Sequence, residues 1–109
     1  MARPKKSKKV CRVPEVRTFT SSDENDNVIT MTIEEYEVIR LMDREGLKQE
    51  ECSIQMNVSR PTIQILYVNA RKKVAEFLTS GGTLRIEGGS YNICESQGVD
   101  CDCLVCPSR

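Results

Sequence analysis

The sequence predicts a mainly α fold: a three-helix helix-turn-helix domain with a small C-terminal β-hairpin and a Cys-rich tail. Three observations predict it. A capped run from Thr32 to Gly46 carries apolar residues at helical spacing. Two further helical runs follow, one from about Lys48 to Met56 and one from Ser59 to about Thr79, with only a short polar-apolar link between them. Leu84 to Ile93 then alternates on either side of Gly88–Gly89. The chain divides on this reading into a basic N-terminal arm (1–17), the helix-turn-helix domain (18–80), a β-hairpin (83–93) and a Cys-rich tail (94–109).

The 109 residues include only five aromatics (Phe19, Phe77, Tyr36, Tyr67 and Tyr91) and no Trp. Aliphatic helices must therefore fill one modest core, because a chain of this size buries only about 60–65% of its unfolded surface. Residues 1–12 are basic and without periodicity, and are expected to be an extended or disordered arm. Val13 to Phe19 alternates weakly and reads as a short strand; residues 21–27 read as a polar loop.

Thr32 and Glu35 form a T-x-x-E capping box at the start of helix one, and Met31 can staple onto Tyr36. Ile33, Tyr36, Val38, Ile39, Leu41 and Met42 give the apolar face, which leaves Glu34, Glu35, Glu37, Arg40 and Arg44 outside. Gly46 stops the helix in a left-handed conformation, followed by the apolar Leu47. Ser59 caps helix three with Pro61 in its first turn, where no needed N–H is lost. Ser80-Gly-Gly82 ends that helix, and Gly88–Gly89 supplies the two positive-φ positions of a tight hairpin turn.

Between Gln49 and Val68 the pattern is that of two helices meeting at a steep angle. Ser53 is the small residue at their approach, Asn57 the left-handed turn residue and Val58 the apolar plug. Cys52, Met56, Val58, Ile63 and Leu66 point inward, covered by Ile33, Ile39 and Met42. Ser59, Arg60, Pro61, Thr62, Gln64 and Ile65 are left exposed at the start of helix three, where a recognition helix faces the major groove of double-stranded DNA. Arg60 suits guanine O6/N7 and Gln64 adenine N6/N7, while Ile65 or Thr62 suits a thymine methyl. Asn69, Arg71, Lys72 and Lys73 are placed to hold phosphates.

The net charge is zero but unevenly spread: +6 over residues 1–17, −7 over 18–51, +3 over 52–87 and −2 beyond. Lys5, Lys6, Lys8 and Lys9 thus give the arm a polyanion-binding character that the overall balance hides. No apolar run reaches the roughly 20 residues that cross a bilayer, and the basic start lacks the apolar stretch of a signal peptide. A cytoplasmic protein without membrane association is the expectation.

Several strings resemble the UPF0251 (DUF134) family: MARPKK at the start, Val13-Pro-Glu-Val16, Thr32-Ile-Glu-Glu-Tyr-Glu-Val-Ile-Arg-Leu-Met-Asp43, Gly46-Leu-Lys-Gln-Glu-Glu51, Val58-Ser-Arg-Pro-Thr62, Ala70-Arg-Lys-Lys-Val74 and Leu84-Arg-Ile-Glu-Gly-Gly-Ser-Tyr91. The resemblance reaches to about Ile93. It implies a prokaryotic DNA-binding protein with a helix-turn-helix similar to region 4 of sigma factors, and no enzymatic activity. Three departures stand out. Lys48 occupies the cap where the family usually has Ser or Thr, Asn57 replaces the usual turn Gly, and Gln64–Ile65 replaces a Gly-Arg type pair, which implies a different base preference.

Cys94, Cys101, Cys103 and Cys106 cluster with C-x6-C-x-C-x2-C spacing. Four thiolates can close around one Zn²⁺, or equally hold an iron–sulfur cluster, and no His is available to replace one. The family's tail is often Cys-rich, and many members carry a Cys where this chain has Ser7; whether Cys11 contributes a ligand is left open by the sequence. Cys52 reads as core packing.

An enzyme is disfavoured by the absence of His, of a Gly-rich phosphate loop and of a nucleophile motif. Glu34–Glu35 and Glu50–Glu51 read as solvated. The expectation is a small transcriptional regulator, metal- or redox-responsive through its tail. The alternative is a metal-binding or electron-carrier protein whose helices meet a protein partner such as RNA polymerase. A homodimer would enlarge the small interface of a single helix-turn-helix, although no heptad seam marks a dimer face.

Overall fold

A computed structural model describes residues 8–94 of the chain. The elements run β1 (Lys8–Val10), β2 (Thr18–Thr20), β3 (Val28–Met31), α1 (Ile33–Ile39), a π-helical turn continuing it (Arg40–Arg44), α2 (Gln49–Met56), α3 (Arg60–Ser80), β4 (Thr83–Ile86) and β5 (Tyr91–Ile93). The fold is mixed α/β, with three helices and two small sheets, rather than mainly α with an appended hairpin.

The expected hairpin over 83–93 does not form. β4 lies at the centre of a three-stranded sheet of order β2-β4-β3, antiparallel to β2 and parallel to β3. β5 leaves that sheet and pairs in parallel with β1 instead. Gly88 and Gly89 do take positive φ, +75° and +103°. Their use is different: they lay the chain across the start of α1. The Gly88 carbonyl accepts from the Ile33 N–H at 3.1 Å, and the Ser90 N–H donates to Glu34 Oε2 at 3.0 Å. A Cβ on Gly89 would fall 1.9 Å from Glu34 Oε1, so only glycine passes. An orphan N–H of the helix start is thereby satisfied by a distant backbone carbonyl.

β3 was not foreseen. Its burial alternates, with Ile29 and Met31 inward, and β4 matches it with Leu84 and Ile86. This sheet face joins Val10, Ile33 and Ala70 in one core, edged by Tyr36, Ile39, Val74 and Phe77. A parallel β3–β4 pair needs a long crossover, and all three helices supply it.

A second core holds Val38, Leu41, Cys52, Met56 and Ile63, with Met42, Val58 and Leu66 at its margin. The inward set of α2 and α3 is the expected one, but Val38 and Leu41 cover it, while Ile33 and Ile39 turn to the sheet. The Thr32–Glu35 capping box is present in full. Gly46 ends the helix at φ +79°, with the Leu47 N–H donating to the Leu41 carbonyl at 2.9 Å.

Of the outer face assigned to helix one, only Arg44 is exposed. Glu34, Glu35, Glu37 and Arg40 are all buried, because strands and the loop between β4 and β5 cover the side that periodicity leaves to solvent. Glu35 is matched to Lys73 at 2.7 Å and Glu37 to Arg40 through Nε at 2.8 Å and Nη2 at 2.9 Å, while Glu34 accepts the Ser90 N–H through Oε2 and its Oε1 has no hydrogen-bond partner among the described residues. Glu37 Oε2 also accepts the Cys11 N–H at 3.0 Å. The end of the arm is correspondingly ordered, with Val10 and Cys11 buried rather than extended into solvent.

Removing one partner of a buried ion pair strands the other, which costs about 3–5 kcal/mol. Glu37→Ala should lower the unfolding free energy in urea by that amount; a loss below about 1 kcal/mol, the scale of an exposed pair, would show that Glu37 does not hold the fold. At the start of α2 the Lys48 N–H donates to Glu51 Oε1 at 2.8 Å, but the Lys48 side chain offers no cap. Lys48→Ser should supply one and raise stability by about 1 kcal/mol, read as a higher urea midpoint with unchanged slope.

Candidate nucleic-acid interface

α2 and α3 are joined by a turn whose geometry follows from Asn57. That residue caps α2 in the left-handed region at φ 59° and ψ 45°, a conformation Asn tolerates because its short polar side chain bonds locally. The Val58 N–H returns to the Ser53 carbonyl at 3.0 Å, and Ser53 is buried, the small residue under the turn. Ser59 then caps α3, its Oγ accepting the Thr62 N–H at 3.3 Å and meeting Thr62 Oγ1 at 2.8 Å. Pro61 sits in the first turn.

α3 is pinned on one side by Ile63 and Ala70, both buried. The opposite side is solvent-facing. Arg60, Pro61, Gln64, Ile65, Val68 and Asn69 are exposed there, and Thr62 is half-buried. Pro61, Gln64, Ile65, Val68 and Asn69 line one shallow groove. The residues assigned from sequence to the first two turns are thus brought onto one face. Val68, 57% exposed beside Ile65 at 62%, belongs to it as well. Its i, i+3 spacing from Ile65 was the available signal.

The cations further along differ from one another. Arg71 Nε lies 3.3 Å from Asp43 Oδ2, and its guanidinium stacks over the Tyr67 ring at 5.3 Å. The Tyr67 hydroxyl donates to Asp43 Oδ1 at 2.6 Å, a bond that, with burial and the Asp43 charge, holds the phenol above its ordinary pKa. Lys73 does not point outward for a phosphate, since Glu35 takes it. Among the described residues Arg60 and Lys72 have no ion-pair partner.

Of the arm lysines, Lys8 and Lys9 fall on β1 and are half-buried, with Lys8 Nζ 3.8 Å from Glu34 Oε2. β1 packs against α1 and α2. Lys5, Lys6, Cys101, Cys103 and Cys106 lie outside the described residues. Cys94 is described, and buried.

Cys52 packs as expected. Its Sγ contacts Met56 Sδ at 3.9 Å, and burial, reinforced by the Glu37 charge, pushes its thiol up to about 12. Arg40 keeps its charge although burial opposes it, because its hydrogen bonds to Glu37 outweigh that penalty and raise its pKa.

These elements define a small mixed α/β domain that presents one face of a long helix. The chain belongs to the UPF0251 family: the family described as "Protein of unknown function DUF134" matches residues 1–94. It is 50% identical over 104 residues to a UPF0251 protein of Desulfitobacterium hafniense strain Y51, covering 93% of this chain and 83% of the relative. A UPF0251 protein of Halothermothrix orenii is 46% identical over 96 residues, 85% of this chain and 71% of its own. One of Clostridium novyi is 41% identical over 107 residues, covering 94% and 73%. No solved structure matches the chain. No helix among the described residues is long and apolar enough to cross a membrane.

Native Cys52 should stay unmodified by iodoacetamide at about pH 8.5, where an ordinary thiol is half ionised, and should react once the chain is unfolded. Peptide mass spectrometry reads this; labelling of the folded protein at the rate of a free thiol would contradict the packing of α1 on α2.

Proposed function

We propose that the protein is a sequence-specific DNA-binding protein, a small prokaryotic transcriptional regulator whose α2–turn–α3 unit is a helix-turn-helix with α3 as the reading helix. The observation that carries this is the exposed first half of α3. Arg60, Gln64 and Asn69 stand on one side with no structural task, and Ile63 and Ala70 fix the other. Side chains of these types discriminate bases by paired hydrogen bonds, Arg60 to guanine and Gln64 to adenine, while Ile65 and Thr62 fit a thymine methyl. Lys72 faces a phosphate, joined by Arg71 once a phosphate displaces Asp43. Lys5, Lys6 and the remaining arm charge contribute sequence-independent attraction.

Selection of bound duplexes from a randomised pool tests the reading. Arg60→Ala should weaken the selected duplex by about 1–3 kcal/mol and relax preference at one base pair, whereas Lys72→Ala should weaken all duplexes alike and reduce the salt slope by about 1. Equal retention of every sequence by the wild-type chain would refute sequence-specific reading.

The groove of Pro61, Ile65 and Val68 favours a second reading, in which α3 meets an apolar protein surface such as one on RNA polymerase. That reading predicts no salt-dependent affinity for DNA.

A further inference from the structure

Between the connection from β1 to β2 and the helix α1 lies a cavity of about 440 Å³. The connection contributes Val13, Pro14 and Val16 to its lining, β2 contributes Phe19, and α1 contributes Tyr36. Val16 is 61% exposed and Phe19 41%. Apolar side chains scattered singly over a surface need no explanation, but these two border one concavity. Its volume falls at the lower end of the about 300–1,000 Å³ of small-molecule sites.

The charge in the cavity comes from Arg12, Glu15 and Arg40. Arg40 is 7% exposed and donates to Glu37 through Nε and Nη2. Its Nη1 is buried with no hydrogen-bond partner among the described residues. Glu45 Oε2, at 3.7 Å from it, is beyond bonding distance. A buried donor left without an acceptor costs the desolvation of its N–H, so Nη1 is a group in need of one. Arg12 is held only loosely, by Glu15 at 3.9 Å, with 46% and 89% of the two side chains exposed. An exposed pair of that kind is weak and exchanges readily for another anion.

The walls need no ligand to assemble them. At one end the Cys11 N–H donates to Glu37 Oε2 at 3.0 Å. At the other the Ile86 N–H donates to the Arg17 carbonyl at 2.8 Å, and Arg17 Nε donates to the Pro14 carbonyl at 3.0 Å. A site held in place beforehand binds at a lower ordering cost.

We propose that this cavity binds a small organic monoacid, an apolar ring or branched chain carrying one carboxylate. The apolar body packs on Val13, Val16 and Phe19, and the carboxylate accepts from Arg40 Nη1 and Arg12. Glu37 already balances Arg40, and Glu15 partly balances Arg12, so a single negative charge is matched whereas a dianionic phosphate is not. Burial holds the Tyr36 phenol above its ordinary pKa, which makes its hydroxyl a donor and not a competing anion. None of these residues lies on the exposed face of α3, so the site is an input separate from the proposed DNA-reading surface.

Benzoate and isovalerate serve as probes, titrated into the isotope-labelled full chain and followed by NMR. Saturable shifts should appear in the Val13 and Val16 methyls, the Phe19 and Tyr36 rings, and the Arg12 and Arg40 Nε–H resonances. Benzamide, the neutral isostere of benzoate, should bind at least about tenfold more weakly, because it forfeits the charge-assisted bonds. Inorganic phosphate should not saturate the site. Arg12→Gln should weaken benzoate by about tenfold and leave the rest of the amide spectrum in place, since Arg12 is exposed. No saturable shift at these residues with millimolar acid, benzamide or phosphate binding as tightly as benzoate, or undiminished binding by Arg12→Gln overturns the proposal. The titration contains no DNA, so each of these results leaves the DNA-binding reading standing.

Discussion

Glu37 has no exposed surface, and its two oxygens receive three N–H groups: two from Arg40 and the backbone N–H of Cys11. A carboxylate there is tolerable only while all of these remain, since an unpaired buried charge costs several kcal/mol. The pair therefore fixes more than a helix side chain. It holds the end of β1 against α1, and β1 in turn is the strand to which β5 adds. Two neighbours on α1 act in the same way. Glu35 joins the helix start to Lys73 of α3, and Glu34 holds the chain at Gly89 and Ser90. Three carboxylates at the start of α1 thus fasten three distant segments: the end of β1, α3 and the loop between β4 and β5.

This arrangement explains which parts of the fold could be read in advance. Features decided within a few residues were legible: the Thr32–Glu35 box, the Gly46 stop, the Asn57 turn and the Ser59 cap each satisfy local N–H or carbonyl groups. Features decided by long-range pairing were not. β3 exists because β4, more than fifty positions later, offers Leu84 and Ile86 to Ile29 and Met31. Gly88–Gly89 has the dihedral signs of a hairpin turn, but those signs serve equally for a chain that must pass close to Glu34. Charged residues on helix one looked solvated because periodicity assigns two faces to a helix and cannot see strands covering the second.

The candidate interface was more legible than the sheets, and for the same reason. The turn and the caps orient the first half of α3, and its two faces follow from the helical period, with Ile63 and Ala70 in and Arg60, Gln64 and Ile65 out. What the sequence obscured was which cations are free to act. Lys73 and Lys8 are drawn to Glu35 and Glu34, and Arg71 to Asp43. The positive charge of the helix is consequently concentrated on Arg60 and Lys72 among the described residues. On the proposed reading, a surface so sparing in charge depends on the fit of a few side chains.

Chemical-shift mapping of the isotope-labelled full chain against a selected DNA duplex measures that fit most directly. Amide and side-chain resonances of residues 59–69 should move, with Gln64 and Arg60 shifting most, while those of the β2-β4-β3 sheet stay in place. Shifts concentrated on the sheet, with α3 unchanged, would contradict the account.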